Sequence, residues 1–296
     1  MEHLSGVLNI NKEEGPTSHD VVAKLRKLLG LRQIGHTGTL DPGATGVLVL
    51  CIGQATRIAQ YFEALDKAYE AELILGITTT TEDKYGEVLS EKPVEIEEAQ
   101  LAAALKKFRG PILQIPPMYS AVRHKGVRLH ELARQGKVVE RKPREVTIHK
   151  LDLLSFEKPN KAKLYVECSK GTYIRTLCAD IGEELGTGAH MGGLVRLSSG
   201  HFKLEDAVTL DEVEAAKASG RLEELIIPLR EALSHWPKLL VDGEEAEKIS
   251  HGGRIKAEKE GMVRIEDRRG RLLALGRCQG GVCQPVRVFS SEFSGM

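Results

Sequence analysis

Residues 161–168 carry the pattern that most restricts the fold of this chain. Apolar residues there alternate with polar or amphipathic ones, which predicts a β-strand with one buried face. The apolar members are Ala162, Leu164, Val166 and Cys168. A second strand is expected from Val146 to Phe156, joined to the first through the short segment 157–160. Such a hairpin is antiparallel, so the chain is not built from repeated strand–helix–strand crossovers.

Helical periodicity occurs between these strands. Val21, Val22, Leu25, Leu28 and Leu29 share one face of a helix. We expect Ser18 to cap that helix and Gly30 to end it. Further helices are predicted at Glu97–Phe108 and Thr172–Leu185, further strands at Gly6–Lys12 and Ala68–Ile77, and a loop at residues 33–46. The mixture indicates an α+β fold.

The pattern changes after Trp236-Pro237 to short strands separated by tight turns. A chain of 296 residues is longer than one core usually organises, which favours two domains. We therefore predict one domain over residues 1–235 and a small all-β domain over residues 236–296.

Several protein classes are disfavoured by composition. The longest apolar run, Val47–Ile52, has six residues, whereas a membrane helix needs roughly 20. The first five residues have no basic stretch followed by an apolar one, so we expect no secretory signal and a cytoplasmic protein. The five cysteines form no CxxC pair, which favours reduced thiols and argues against a metal site.

Charge is unevenly distributed although 42 basic and 42 acidic residues cancel overall. Residues 121–150 hold nine Lys or Arg against three acidic residues, and residues 251–296 hold nine against five. Either stretch can be a solvated surface or a surface that binds phosphates. We call residues 121–150 the flap.

The glycine-rich segment 35–46 is the densest motif. Its four glycines permit tight turns and close approach of a ligand, and Pro42 restricts the backbone of Asp41 to extended angles. The sequence thus limits the direction of one carboxylate. The other interpretation is that His36 and Asp41 only bond their own turn backbone.

Two nucleotide and metal motifs are excluded. Residues 30–37 resemble a P-loop, but His36 replaces the required lysine and a helix precedes the segment. At His130-Glu131, Arg134 stands where HExxH needs its second histidine.

Residues 169–177, SKGTYIRTL, join the best strand to a helix. Arg175 falls in the first helical turn, where the helix dipole disfavours cations, so an anionic group is expected opposite it. The other interpretation is a surface arginine. Tyr69 begins a strand among polar neighbours and is compatible with simple packing.

Taken in order, these segments resemble the TruB-type tRNA pseudouridine-55 synthases along nearly the whole chain. The matching pieces are residues 6–20, GHTGTLDPGATGVL at 35–48, Lys67–Tyr69, IPPMYSAV at 115–122, KGVRLHELARQG at 125–136, SKGTYIRTL at 169–177 and GGLVRLSSG at 192–200. The chain departs from the family at Glu13, Arg123 and His130, where proline, lysine and tyrosine are frequent. The resemblance implies a mixed, mainly antiparallel catalytic sheet and a C-terminal PUA-type RNA-binding domain.

The resemblance also implies the chemistry. Asp41 would be the nucleophile that isomerises a flipped-out uridine of the tRNA T loop, attacking either the sugar or the base, without cofactor or metal. Arg175 would pair with Asp41, keep it ionised and orient it. Tyr69 would lie against the uracil, as a stacking partner or as the acceptor of the C5 proton.

Other residues take supporting roles by the same resemblance. His36 would fill the gap left by the flipped base. Pocket-lining residues would be Lys170, Tyr173, Leu194 and Arg196. Phosphate contacts would come from Arg123, Lys125 and Arg128 in the flap.

Two other functions remain open. One is a non-catalytic RNA-binding or chaperone protein, and the other is a guide-RNA-dependent synthase of the dyskerin type. The flap favours the stand-alone synthase, because such a protein must hold the tRNA arm itself. We therefore expect a monomer that needs no protein partner.

Overall fold

The computed structural model describes residues 4–289, and these divide into two compact units. The first unit contains the chain up to Pro42, Val47–Glu63 and the chain from His201 onward. The second contains Gly43–Gly46 and Ala64–Gly200. The first three residues of the chain and the last seven of the predicted C-terminal domain lie outside the described residues.

Eight α-helices occur in the described part of the chain. They are α1 Ser18–Leu29, α2 Ala59–Glu63, α3 Glu98–Lys106, α4 Leu129–Arg134, α5 Ile174–Glu184, α6 Leu210–Ala218, α7 Leu229–Ala232 and α8 Gly243–Ser250. Within residues 4–289, none is long and apolar enough to cross a membrane.

The strands of the described residues range from two residues in β8 to 14 in β10. They are β1 Gly6–Lys12, β2 Ile34–His36, β3 Ala44–Ile52, β4 Lys67–Leu75, β5 Ile77–Thr79, β6 Val88–Glu91, β7 Gly110–Gln114, β8 Arg123–His124, β9 Val127–Arg128, β10 Arg144–Glu157, β11 Lys161–Cys168, β12 Ala189–Ser199, β13 Phe202–Lys203, β14 Lys238–Val241, β15 Ile255–Lys256, β16 Gly261–Asp267, β17 Leu272–Gln279 and β18 Val282–Val288.

The second unit is built on a sheet of order β12-β4-β11-β10-β7, whose neighbours are all antiparallel. The first residues of β3, Ala44–Gly46, pair with β12 in parallel and extend the sheet at that edge. The sheet is therefore mixed and mainly antiparallel, as predicted. The predicted hairpin is β10–β11, and all four apolar residues of its alternating face are at most 1% exposed.

In the first unit, α1 carries the predicted apolar face and ends at Gly30, which adopts the left-handed conformation with φ of 69°. The cap prediction was wrong by one residue. Thr17 caps α1 in a reciprocal box with Asp20 because its backbone is extended, whereas the Ser18 side chain bonds the backbone of Leu40.

The predicted loop at residues 33–46 also needs correction. Residues 34–36 form β2, which pairs antiparallel with β3 through Ile34–Ile52 and His36–Leu50, and β3 itself begins at Ala44. Three-residue strands leave no measurable period in a sequence, so only the intervening residues keep the predicted loop character.

The C-terminal strands form a five-stranded sheet of order β14-β16-β17-β18-β15. Its apolar face encloses a cluster of its own, which includes Val263, Ile265, Cys278 and Cys283. The small β-rich C-terminal fold is therefore confirmed, with one helix, α8, packed beside the sheet.

Candidate active site

Arg175 is 5% exposed in the first turn of α5 and meets the anionic partner that its position predicts. Its Nη1 lies 3.6 Å from Oδ2 of Asp83. The guanidinium also donates to the carbonyl oxygens of Thr81 at 3.0 Å and Tyr119 at 2.9 Å. Two carbonyl acceptors and one ion-paired carboxylate fix the guanidinium, so Arg175 is a buried, oriented cation.

Asp83 was missed by sequence reasoning, because the threonine-rich segment around it has no recognisable period. It is 8% exposed. Its Oδ1 accepts hydrogen bonds from the Thr81 hydroxyl at 2.5 Å and from the Tyr85 amide at 3.0 Å. These donors hold the carboxylate so that Oδ2 turns toward Arg175.

Glu82, the residue before Asp83, combines a strained backbone with a half-buried carboxylate. Glu82 has a φ of 63°, a left-handed conformation that costs energy for a residue with a side chain. Its Oε2 accepts a 2.6 Å hydrogen bond from Thr176, and burial raises the pKa of Glu82. Glu82 and Asp180 both line a cavity of about 730 Å³. The pKa of Asp180 is raised to about 6, chiefly by burial and then by the negative charge of Glu82.

Three of the predicted pocket residues lie side by side in the sheet. Register pairs Arg196 of β12 with Tyr69 of β4 and, on the other side, with Gly46 of β3. Leu194 pairs with Ala44 on that side. Arg196 is 2% exposed and Tyr69 is 8% exposed, so both side chains are buried at this point of the sheet.

Gly46 allows the close approach of β3 to β12. Its φ is 98°, and a Cβ added there would lie 2.2 Å from the Arg196 carbonyl oxygen. No side chain fits that space without moving one of the two strands.

The backbone on both sides of Asp41 is anchored. The Ser18 hydroxyl accepts from the Leu40 amide at 2.8 Å and donates to its carbonyl at 3.0 Å. The Pro42 carbonyl accepts from the Gly15 amide at 2.9 Å and from the buried Lys12 ammonium at 3.2 Å. Asp41 itself is partly exposed, so a fixed segment presents an accessible carboxylate.

His36 ends β2 and is also partly exposed. Its Nδ1 accepts from the Gly38 amide at 3.4 Å, while the next residue, Thr37, is tied to the Val49 carbonyl at 3.0 Å. The imidazole is thus directed by the turn that follows it.

The SKGTYIRTL segment is held by a residue that sequence reasoning did not select. Gln114 is 2% exposed; its Oε1 accepts from the Tyr173 amide at 3.0 Å, and its Nε2 donates to the Tyr173 carbonyl at 3.2 Å. Tyr173 is the N-cap residue of α5. Lys170 is exposed at the turn before it.

The flap presents its predicted cations on a tight hairpin. Strands β8 and β9 pair Arg123 directly with Arg128. Lys125 and Gly126 form the turn with φ of 49° and 88°, as a type I′ turn requires. Two like charges facing each other across a hairpin destabilise it, and a phosphate between them would remove that repulsion.

Within residues 4–289, no three His, Cys, Asp or Glu side chains converge as ligands for a metal ion. The five cysteines are buried, and burial raises the pKa of the Cys51 and Cys178 thiols to about 12. Such thiols are poor nucleophiles.

Comparison with known proteins assigns the chain to a family. The profile "TruB family pseudouridylate synthase (N terminal domain)" matches residues 26–174. Residues 175–234 match "tRNA pseudouridylate synthase B C-terminal domain", and residues 236–290 match "tRNA Pseudouridine synthase II, C terminal". The chain belongs to the TruB family of pseudouridylate synthases.

TruB relatives match along nearly the full length. The tRNA pseudouridine synthase B of Stutzerimonas stutzeri (strain A1501) is 47% identical, with 98% of this chain and 97% of that protein covered. That of Geobacillus thermodenitrificans (strain NG80-2) is 44% identical, with 97% and 100% covered.

Two solved structures share the fold of this chain. "Crystal Structure of a Cbf5-Nop10-Gar1 Complex" contains a chain that is 29% identical with a TM-score of 0.77, covering 98% of this chain and 86% of that one. "Structure of H/ACA RNP bound to a substrate RNA containing 2'-deoxyuridine" contains one that is 27% identical with a TM-score of 0.76, covering 99% and 87%. The predicted pseudouridine synthase fold is thus confirmed.

Proposed function

We propose that this chain is a stand-alone tRNA pseudouridine synthase that isomerises the uridine at position 55 of the T loop, with Asp41 as nucleophile. Family membership supports the reaction class. The observation that carries the residue assignment is the anchoring of the backbone on both sides of Asp41, through Ser18 to Leu40 and through Lys12 and Gly15 to Pro42. A partly exposed carboxylate on an immobilised segment has the placement that a nucleophile needs.

The reaction conserves every atom of the nucleoside. The N1–C1′ bond breaks, the uracil turns, the C5–C1′ bond forms, the C5 proton leaves and N1 acquires a proton. No electron acceptor or group donor enters this balance, so the proposed mechanism invokes no cofactor. Asp41 acts at C1′ of the sugar or at the base.

The supporting residues follow from chemistry. Arg175 pairs with Asp41 and keeps that carboxylate ionised, a role suited to an arginine already oriented by Asp83. Tyr69 lies against the uracil, and the buried Arg196 beside it supplies positive charge. Lys170, Tyr173 and Leu194 line the remainder of the pocket.

RNA is held by separate residues. His36 occupies the space that the flipped uridine leaves, since its ring stacks and its nitrogens hydrogen-bond. Arg123, Lys125 and Arg128 contact phosphates of the T stem. Residues 1–235 act as the catalytic domain and residues 236–296 as the PUA-type RNA-binding domain of a monomeric, cytoplasmic enzyme.

The test uses the purified full chain, one unmodified tRNA and no other component, with pseudouridine measured in the T loop. The chain is expected to form product, and Asp41→Asn to bind the tRNA without forming it. Asp211→Asn is a matched control, because the Asp211 side chain is 90% exposed.

Three outcomes would contradict the proposal. Full activity of Asp41→Asn would refute the assignment of Asp41 as the nucleophile. Activity only after a guide RNA is added would indicate the dyskerin-type synthase, and tRNA remodelling without product would indicate a chaperone.

A further inference from the structure

Tyr85 is an exposed aromatic residue in the segment that orients Arg175. It is 61% exposed and lies two residues after Asp83, whose carboxylate accepts the Tyr85 amide at 3.0 Å. Isolated surface aromatics are common and need no function. Three further observations separate Tyr85 from that group.

The first observation is that the segment is rigid. The Lys84 amide donates to the Met191 carbonyl at 3.0 Å, and the Met191 amide donates to the Glu82 carbonyl at 3.0 Å. The Thr80 amide closes the segment onto the Glu87 carbonyl at 2.9 Å. Tyr85 is therefore presented by backbone fixed to strand β12, and ordering it on binding costs little entropy.

The second observation is that the Tyr85 ring packs against the backbone of Gly43. A Cβ added to Gly43 would lie 2.2 Å from Cε2, 2.4 Å from Oη and 2.6 Å from Cζ of Tyr85. The ring thus packs directly on the Gly43 backbone, while most of its surface faces outward. Gly43 follows Asp41 by two residues in the chain, so the ring rests on backbone that is adjacent in sequence to the proposed nucleophile.

The third observation is charge. The Lys84 ammonium lies over the Tyr85 ring, 5.1 Å from its centre. A nucleobase that stacks on the ring takes the place of this ammonium, and the flexible lysine stem lets the charge move to the phosphate of the same nucleotide. The proposed tRNA substrate supplies both groups in a single nucleotide, a flat base and a phosphate.

We propose that Tyr85 is a specificity-determining residue that stacks on a T-loop nucleobase flanking the target uridine, with Lys84 beside that nucleotide's phosphate. This inference rests on the proposed function, since it needs an RNA substrate. Residues 80–86 lie inside the matched family profile but outside the short segments by which the sequence resembles the family.

The first experiment measures equilibrium binding of a fluorescent T-arm stem-loop at fixed salt, in the Asp41→Asn background so that the RNA is not converted. Tyr85→Phe is expected to bind within about twofold of its parent, whereas Tyr85→Leu and Tyr85→Ala bind on the order of 10-fold more weakly. Leucine can still cover Gly43 but cannot stack as an aromatic ring does. Leu154→Ala is the control, because Leu154 is 52% exposed in β10 of the same unit.

The second experiment identifies the base. Each loop nucleotide is replaced in turn by an abasic one, and the loss of affinity is compared between the parent protein and its Tyr85→Ala variant. Stacking predicts one position at which the two losses are strongly non-additive. Additive losses at every position, or equal binding by Tyr85→Ala and its parent, would overturn the proposal. Pseudouridine formation by the chain with Asp41 and Tyr85 intact tests the proposed function separately.

Discussion

The Arg175 guanidinium and the Asp83 carboxylate form a buried ion pair, with 3.6 Å between Nη1 and Oδ2. The two side chains are only 6% and 12% exposed, so little water screens them. Asp83 in turn is fixed by Thr81 and by the Tyr85 amide. Arg175, which the SKGTYIRTL segment contains, is therefore oriented by a carboxylate outside the short segments that the sequence singled out.

Neutralising Asp83 is predicted to misplace Arg175. Asp83→Asn keeps the side-chain shape but removes the charge that fixes the guanidinium, and a small displacement of a catalytic group costs on the order of 10²-fold in rate. Single-turnover pseudouridine formation should fall by about that factor while tRNA affinity changes little. Asp152→Asn, which removes an exposed ion pair with Arg109, is the control. An unchanged single-turnover rate would contradict the positioning role.

The Gln114 side chain is predicted to stabilise the folded chain by holding Tyr173. Gln114→Met has similar volume but removes the acceptor of the Tyr173 amide, while the Tyr173 carbonyl keeps its hydrogen bond from the Leu177 amide. A polar group that loses its partner away from water costs about 1–3 kcal/mol. Thermal unfolding should report this loss, and Gln60→Met, at an exposed position, should not. If both variants unfold at the same temperature, the bridge to Tyr173 contributes nothing.

Asp180 is predicted to make the fold less stable at neutral than at acid pH. Its pKa is about 6 in the folded chain against an ordinary value of 3.8, so the folded chain holds a proton that the unfolded chain releases. Its contribution to stability therefore falls as pH rises from about 4 to about 6 and stays low above that range. Asp180→Asn should raise the unfolding temperature at pH 8 and leave it unchanged near pH 4.

Asp211→Asn is the control for that measurement, since its side chain is 90% exposed. It should give no gain that depends on pH in this range. A destabilised Asp180→Asn at pH 8 would show that the carboxylate is favourably bonded in the folded chain.

The flap is predicted to account for part of the salt sensitivity of tRNA binding. Replacing Arg123 and Arg128 by glutamine removes two proposed phosphate contacts. The slope of log affinity against log salt should become shallower by about 0.7–0.9 per lost contact. Lys158→Gln, which removes a cation paired with Glu97, should leave the slope unchanged. If the flap variant shows the same slope as the parent protein, Arg123 and Arg128 do not contact the RNA phosphates.

Local patterns predicted the regular parts of this fold well. The alternation at residues 161–168 predicted the correct hairpin, because side-chain direction in a strand has a fixed period. The choice between Thr17 and Ser18 as cap could not be made, since it depended on Ser18 being bound by Leu40, a residue 22 positions away.

The candidate site was predictable only where the chemistry was local. Arg175 at a helix start required an anion, and the structure supplies one. That the anion is Asp83 follows from the pairing of its segment with Met191, and that Gln114 holds Tyr173 follows from sheet order. Both depend on contacts between distant parts of the sequence. The pairing of Asp41 with Arg175 stays a prediction.

Gly46 limits how freely this protein can change over generations. Its left-handed backbone and the 2.2 Å space before the Arg196 carbonyl oxygen leave no room for even a methyl group. A mutation there would push β3 away from β12, the strand in which Arg196 pairs with Tyr69 of β4. Lineages that retain this geometry are thus confined to one amino acid at position 46, although it takes no part in bond making.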